Sequence, residues 1–417
     1  MQKVWDALVR IERDESLASW EVAGIALWPI LRMRIFRELT EQLGIFEKRT
    51  DDSETAKPLK PKKVEFGEYM VVPFVRHAPD GTEPYSWRIF GALQEKATPF
   101  DIKRASVAEA YFRSRYRSRA LLAIAPRLRK KHAEKWARVV AFLEVELGAN
   151  LGRYRAFPRW ALVQFYAERH GWAKAFKRTK KLFMVNAWKR SMIAGAQAAG
   201  VWVVEPQHGL LTNSHPLLSW PGEQSVPYLP NELYLWGDVW ANESIPPSVR
   251  KTVVGYDRVL PAYAKTLNTI LFVGQVHHTA RLLEIARKIA ELKPEFSVVY
   301  KPHPQEDESL FNQGRLPNNL KIAQKDRPAI ELIANSEYVF GVYSMALIEA
   351  IAIGAKVISL ELPGSETLEA FAGKLTFAGA NIELDALLAS AKPAADVSVI
   401  FAEPLSDAEF ARIVEAF

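Results

Sequence analysis

Gln207, His208 and Gly209 follow an apolar run at 201–204, and Lys301, Pro302, His303 and Pro304 follow a second run at 296–300. Each run has strand length and is broken by proline, so its polar residues come to the carboxyl end of a strand. That edge of an open α/β sheet is where ligands sit. Gly209 is expected in a tight or positive-φ turn that presents Gln207 and His208 there. An imidazole at such an edge can position an anion or exchange a proton, and Lys301 adds a cation. Ser344 heads a run of helical periodicity through Glu349 to Gly354. Its hydroxyl and the free N–H groups of the first turn would cradle a phosphate, or the serine is simply the cap. Two strands ending in histidine-bearing turns imply a site between two similar domains.

Five of the eight histidines (His208, His215, His277, His278, His303) fall between 208 and 303. His277 and His278 are adjacent, so their side chains diverge, and no HxH or HxxxH spacing is present; no metal is expected. The chain has no cysteine, which excludes disulfides, thiolate zinc and a cysteine nucleophile. It lacks GxxxxGK[ST], GxGxxG and GxSxG, so neither a P-loop ATPase, a dinucleotide enzyme nor a nucleophile-elbow hydrolase is indicated.

The elements that must position these residues alternate. Residues 1–47 read as a helical extension with a wide apolar face (Leu17, Trp20, Leu27, Trp28, Leu31, Ile35, Leu39) and Arg32, Arg34 and Arg37 on its flank. It packs on the main body or lies in a membrane interface, the first being preferred. Residues 48–63 are a polar, proline-bearing linker. A strand at 69–75 leads into the turn 76–81, a further substrate edge. Helical sequence dominates 86–180, and strands follow at 182–186, 201–204 and 233–236. A hinge is expected around 253–261, dividing residues 1–258 from 259–417. The second domain alternates strands at 269–275, 298–300, 320–322, 338–341 and 356–360 with helices at 280–292, 328–335 and 344–354. A last helix, 407–417, crosses back to the first domain. The class is α/β, with two doubly wound, Rossmann-type sheets.

A formal charge of +7 favours an anionic partner. Arg113, Arg115, Arg117, Arg119, Arg127, Arg129, Lys130, Lys131, Lys135 and Arg138 are interleaved with Tyr111, Phe112, Tyr116 and Trp136. This stretch is a surface for phosphate-rich lipid or polymer, or a solvated helix pair, the second being preferred. The N-terminal residues lack the basic-then-apolar order of a signal peptide, and no window of eighteen apolar residues exists. A cytoplasmic protein is expected, with peripheral contact at the inner face of the inner membrane.

The segments Glu-Pro-Gln-His-Gly-Leu (205–210), Pro-Asn-Glu-Leu-Tyr-Leu-Trp-Gly-Asp-Val-Trp (230–240), Tyr-Lys-Pro-His-Pro (300–304) and Gly-Val-Tyr-Ser-Met-Ala-Leu-Ile-Glu-Ala (341–350) resemble, in this order, the motifs of bacterial capsule and O-antigen glycosyltransferases. The nearest resemblance is to the retaining β-Kdo transferases, over roughly residues 180–362. It implies a GT-B-like fold and transfer of Kdo from CMP-Kdo to a lipid-linked saccharide acceptor, with no cofactor or metal and no nucleic acid. It further implies that Lys301, His303, Pro304 and Ser344 hold the CMP phosphate with Gln275 beside them. Glu349 would meet the ribose or base, and Gln207, His208 and Gly209 would line the sugar pocket. The Lys-Pro-His-Pro and serine motifs are shared with sialyltransferase-like and glycerophosphotransferase-like enzymes, which use other CMP-linked donors. A non-catalytic basic module binding membrane or nucleic acid is a second alternative.

In such enzymes the residue at position 231 is often an aspartate, the candidate nucleophile; here it is Asn231. An amide is not a competent nucleophile at an anomeric carbon. Either Asn231 marks an Asp-to-Asn variant, the preferred reading, or Glu232 or Asp238 supplies the carboxylate, or the chain is inactive. His208 would position the sugar carboxylate or exchange the acceptor proton. Retention by two successive inversions needs such a carboxylate.

Overall fold

The computed structural model of the chain describes residues 1–45, 66–73, 85–186, 188–258, 260, 266–312, 315–379 and 383–416. The linker 48–63 and the turn 76–81 lie outside the described residues, as does Pro261. The chain divides into two compact units. The first comprises residues 3–236, 241–255 and 404–417, and the second 1–2, 237–240 and 256–403.

The chain begins with α1 (Gln2–Asp14), a short antiparallel ribbon of β1 (Glu21–Val22) and β2 (Ile25–Ala26), and α2 (Leu27–Gln42). The strands β3 (Tyr69–Val72), β4 (Ala97–Pro99), β5 (Lys181–Met184), β6 (Trp202–Pro206), β7 (Glu232–Leu235) and β8 (Arg250–Val253) make one parallel sheet in the order β4-β3-β5-β6-β7-β8. The helices α3 (Trp87–Leu93), α4 (Ile102–Ile124), α5 (Lys130–Leu147), α6 (Arg159–Ala175) and α7 (Arg190–Ala198) come between them. The strand β4 falls inside the stretch that helical sequence dominates. It is a three-residue edge strand ending at Pro99, and proline is tolerated at such an edge. One face of the sheet buries Met70, Leu182, Met184 and Val203 against Trp172, Phe176 and Met192.

The other face buries Val71, Phe183, Val204 and Tyr234 with Phe410 and Val414 of the last helix, Asp407–Glu415. That helix starts with a capping box between Ser406 and Glu409. Its final carbonyls at Ile413, Val414 and Ala416 accept from the buried Lys181 ammonium at 3.1, 2.9 and 2.7 Å. A lysine thus satisfies groups that a helix end leaves open.

The second sheet contains β9 (Thr269–Val273), β10 (Ser297–Lys301), β11 (Leu320–Ile322), β12 (Tyr338–Gly341), β13 (Lys356–Leu360) and β14 (Thr376–Ala378), all parallel. Their order is β11-β10-β9-β12-β13-β14. The first and fourth strands of the unit are therefore neighbours, which is the doubly wound arrangement with its switch point between β9 and β12. The helices α8 (Thr279–Leu292), α9 (Ala329–Ala334), α10 (Met345–Ala352) and α11 (Leu384–Ser390) follow strands of this sheet; the last helix of the chain is α12. Ile270, Phe272, Val298, Tyr300, Phe340 and Ile358 form the core with Leu282, Ala286 and Ile289 of α8. The expected class, α/β with two Rossmann-type units and a helical N-terminal part, is the one observed.

The N-terminal helices pack on the body. Leu27, Trp28, Leu31, Ile35 and Leu39 of α2 are fully buried, so this face does not lie in a membrane interface. Arg32 is not on the flank. It is 1% exposed, bonded through Nε and Nη2 to Glu12 at 2.5 and 3.0 Å, and its guanidinium stacks on Trp5 and Trp220. Two tryptophans distant in sequence convert a flanking position into a core one. Among the described residues no helix is long and apolar enough to cross a membrane.

Candidate functional site

At the carboxyl edge of the first sheet, Gln207 continues β6, its N–H donating to the Tyr234 carbonyl at 2.9 Å. Its side-chain oxygen accepts from the Trp236 N–H at 2.9 Å and its amide donates to the Gly209 carbonyl at 3.0 Å. Gln207 is therefore the stitch that holds the ends of β6 and β7 and the following turn together. Gly209 corrects the expectation placed on it: its φ is not positive, and a Cβ built there meets nothing within 4 Å. The turn leaves open space at Gly209, and no backbone strain requires glycine. Two aromatic rings that sequence reasoning missed stand here. Tyr85 meets the His208 ring edge-on at 6.2 Å and stacks on Trp236 at 6.4 Å.

His208 lies with Nδ1 3.6 Å from the Glu205 carboxylate. His215 receives the Leu218 N–H at 3.2 Å. The buried Arg190 donates to the carbonyls of Tyr228 and Leu217 at 2.8 and 2.6 Å. Burial depresses both histidines, His208 to about 4, and His215 to about 3 with His208, Arg190 and Arg32 adding to the effect. Both are neutral in the folded protein at neutral pH, whereas the unfolded chain takes up protons as the pH falls below ~6.5. The stability present above that value is lost as the pH falls toward 4 and then 3, at ~1.4 kcal/mol per pH unit for each histidine. Denaturant midpoints measured down this range should fall, and His215→Asn should flatten the slope. An unchanged slope would show that His215 is charged when folded.

Asn231 and Glu232 are at the other end of the strand. In the register of β6 and β7, Val204 faces Glu232 and Pro206 faces Tyr234, so Asn231 precedes the strand while His208 lies beyond it. Five residues separate the levels of Asn231 and His208, ~16 Å along the sheet. The Asn231 side-chain oxygen accepts from the Val203 N–H at 2.9 Å, and its backbone bonds Val203 and Arg250. Glu232 is buried, its two oxygens taken by the Thr252 hydroxyl at 2.6 Å and the Trp202 indole at 2.9 Å. Position 231, where the resemblance implies an aspartate nucleophile, and Glu232, its alternative, thus stand at the amino edge, where their side chains pin neighbouring strands. Asp238, three residues past the carboxyl end of β7, is exposed and belongs to the 237–240 segment of the second unit.

The second unit gathers the remaining candidates at one edge. Gln275 follows β9, and its side-chain oxygen accepts from the Tyr343 N–H at 3.2 Å, spanning the switch point between β9 and β12. The Gly274 N–H donates to the Lys301 carbonyl at 2.8 Å, bringing the Lys-Pro-His-Pro turn alongside. Two strand spacings, ~10 Å, separate β10 from β12, so His303 and Ser344 flank the switch point from opposite sides. Pro304 is exposed at the tip of the turn.

The cations there are less available than their types suggest. Lys301 is 5% exposed, and Nζ donates to the Pro302 and Lys325 carbonyls at 2.9 and 3.0 Å; burial lowers its pKa. Its charge organises the turn from inside. The Ser344 hydroxyl accepts from the Ala346 N–H at 3.2 Å, which is the geometry of a helix cap. His303 Nδ1 accepts from the Gln305 N–H at 3.2 Å. Glu349 accepts from the Tyr256 hydroxyl at 2.9 Å and lies 3.6 Å from Arg258; burial raises its pKa.

Sequence reasoning missed Glu306. It is 3% exposed: Oε1 lies 2.8 Å from the Thr279 hydroxyl and 3.0 Å from that of Tyr300, and Oε2 accepts from the His303 N–H at 2.8 Å. A carboxylate three residues after the histidine, with a glycine ending the neighbouring strand, was the available signal. A Cβ at Gly274 would sit 2.6 Å from Glu306 Oε2 and 2.8 Å from the Lys301 carbonyl. Among the described residues no group of three His, Asp or Glu side chains is arranged to hold a metal ion.

No family model and no curated protein matches the chain. Among solved structures it is similar to the UDP-GlcNAc 2-epimerase of Methanocaldococcus jannaschii, in complex with UDP-GlcNAc and UDP, at 14% identity and a TM-score of 0.46, over 83% of this chain and 98% of that one. The glycosyltransferase SnogD of Streptomyces nogalater is similar at 16% identity and a TM-score of 0.36, over 75% and 85%. For MurG of Acinetobacter baumannii the values are 12% and 0.35, over 52% of this chain and 66% of that one, just under two thirds of its length. None of the three reaches a TM-score of 0.5, and no residue role is taken from them.

Proposed function

We propose that the chain is a glycosyltransferase that binds a nucleotide-sugar donor at the carboxyl edge of the second sheet, with CMP-Kdo as that donor. The acceptor is a lipid-linked saccharide of O-antigen or capsule assembly, met at the inner face of the inner membrane. The observation that supports this reading is the switch point. There the Gln275–Tyr343 hydrogen bond, the His303 turn and the start of α10 come to one edge, the position where doubly wound sheets take nucleotides.

In this reading the leaving CMP phosphate is stabilised by His303 and by N–H groups at the start of α10. Lys301, Ser344 and Gln275 keep those groups in position. The Gln207–Gly209 turn, with Tyr85 and Trp236, is a sugar-binding edge of the first unit taken by itself. His208, neutral above about pH 4, contributes hydrogen bonds there and is a weak base. No metal takes part. Retention by two successive inversions requires a carboxylate nucleophile, and of the 230–240 segment Asp238 remains, exposed past the carboxyl end of β7.

Incubation with CMP-Kdo, CMP-sialic acid, CDP-glycerol and UDP-GlcNAc, followed by nucleotide release, tests the reading. CMP-Kdo should be turned over, Asp238→Asn should reduce that ~1000-fold or more, and Asn231→Asp should change it less than about twofold, its acceptor oxygen being kept. Turnover of CDP-glycerol alone would replace Kdo transfer by glycerophosphate transfer, and UDP-GlcNAc alone would move the donor to another class. A gain of activity in Asn231→Asp would return the nucleophile to position 231.

A further inference from the structure

The basic stretch noted in the sequence has a defined shape. It occupies the last turns of α4, the corner at 125–129 and the first half of α5. Between 112 and 138 it carries ten basic residues and one acid, Glu134. Some of these charges are spoken for: Arg113 pairs with Glu168, Lys130 with Glu134 and Arg138 with Glu15. Among the described residues no carboxylate lies within ion-pair distance of Arg115, Arg117, Arg119, Arg129 or Lys131, and all five are exposed.

In their midst is a leucine. Arg115, Arg119 and Leu122 are spaced i, i+4, i+7, hence on one face of α4. Leu122 is 77% exposed. A solvated helix face accommodates both the arginines and the leucine, since a single exposed leucine is ordinary; it makes no use of their sharing one face of α4. A nucleic acid uses the charge through its phosphates, and takes up a leucine only as a wedge between unstacked base steps. An anionic bilayer supplies both: lipid phosphates at the depth of the guanidinium groups, and the acyl boundary a few ångströms beneath.

We infer that the corner between α4 and α5 docks on an anionic lipid bilayer, with Leu122 entering the headgroup–acyl boundary and the surrounding arginines binding lipid phosphates. The surface belongs entirely to the first unit. This inference stands apart from glycosyl transfer, because binding is read with neither donor nor acceptor present; either can fail alone.

The test is co-sedimentation of the full chain with vesicles of phosphatidylglycerol and phosphatidylcholine, against vesicles of phosphatidylcholine alone. The mixed vesicles should bind the protein, less so at high salt, and the neutral ones should not. Each arginine at an anionic surface contributes about fivefold in partitioning, so Arg115→Ser with Arg119→Ser should weaken binding ~25-fold. Leu122→Ser should weaken it about tenfold while leaving retention on duplex DNA unchanged. These positions are exposed, so the variants should keep the parent's circular dichroism and melting. The charge-matched pair Lys321→Ser and Lys392→Ser, exposed in the second unit, should bind as the parent does. Equal binding to neutral vesicles, or unaltered binding of the arginine and leucine variants, overturns the inference. Tighter retention on duplex DNA than on vesicles, sensitive to the arginines and indifferent to Leu122, identifies a nucleic-acid surface instead.

Discussion

Glu306→Ala should lower the stability of the second unit by ~4 kcal/mol and raise the KM for the donor at least tenfold. The alanine removes the acceptor of three buried donors at once: the Thr279 and Tyr300 hydroxyls and the His303 N–H. It also empties the space into which Gly274 packs without a side chain. Leaving buried donors without partners costs more than their hydrogen bonds contribute when made. The carboxylate holds the His303 turn through the His303 N–H, while the main chain of residue 306, which bonds the His303 carbonyl and the Lys325 ammonium, is kept in the variant. Glu306→Gln keeps one acceptor oxygen and should lose about half as much. Gly274→Ala should mimic the defect from the other side, because its Cβ has no room. Urea unfolding followed in the full chain, with donor KM measured in parallel, checks all three. A loss below ~1 kcal/mol in Glu306→Ala would mean that the donors find water, and that the turn is not held by this group.

Arg32→Met should destabilise the first unit by ~4 kcal/mol, a loss that restoring apolar surface does not offset, because Glu12 is left buried and unpaired. Glu12 accepts from Arg32 through both oxygens and from the Trp28 indole at 2.7 Å. The same guanidinium donates to the Pro216 and Ser219 carbonyls at 3.0 and 2.7 Å, so it also ties down the loop that follows the His208 turn. The diagnostic result is the pair. Glu12→Leu with Arg32→Met should be less destabilising than either single substitution, since replacing a whole buried ion pair by apolar groups removes the desolvation cost of both charges. Additive losses would show that the two charges do not depend on each other. The Arg32→Met protein should also lose part of the steep acid slope, because His215 lies in the loop it releases.

Much of the second unit was legible beforehand. Runs such as 270–273 and 338–341 are continuous and apolar because a parallel sheet buries both faces, and glycine or proline punctuates them. The turns at Gln275, His303 and Ser344 were found for the same reason, and the strand order then brought them to one edge. Their chemistry was less legible. Lys301 looks from its type like a phosphate ligand, yet its ammonium faces two carbonyls inside the turn; which way a long side chain folds is decided by the loop around it.

The opposite limit is seen at the start of β7. Nothing in Pro-Asn-Glu-Leu-Tyr-Leu-Trp says at which residue the strand begins, and four residues decide whether a polar side chain stands at the ligand edge or at the far one. The β6–β7 register sends Asn231 and Glu232 to the far edge and leaves Asp238 past the near one. Arg32 is similar: helical periodicity assigns it to a flank, and Trp5 and Trp220 bury it. What the sequence determined alone is the alternation of strands and helices, because backbone hydrogen bonding and apolar burial act over short stretches of chain. What only the tertiary structure decided is which polar groups face outward at a strand end and which are consumed within, because their partners come from strands and helices far away along the chain.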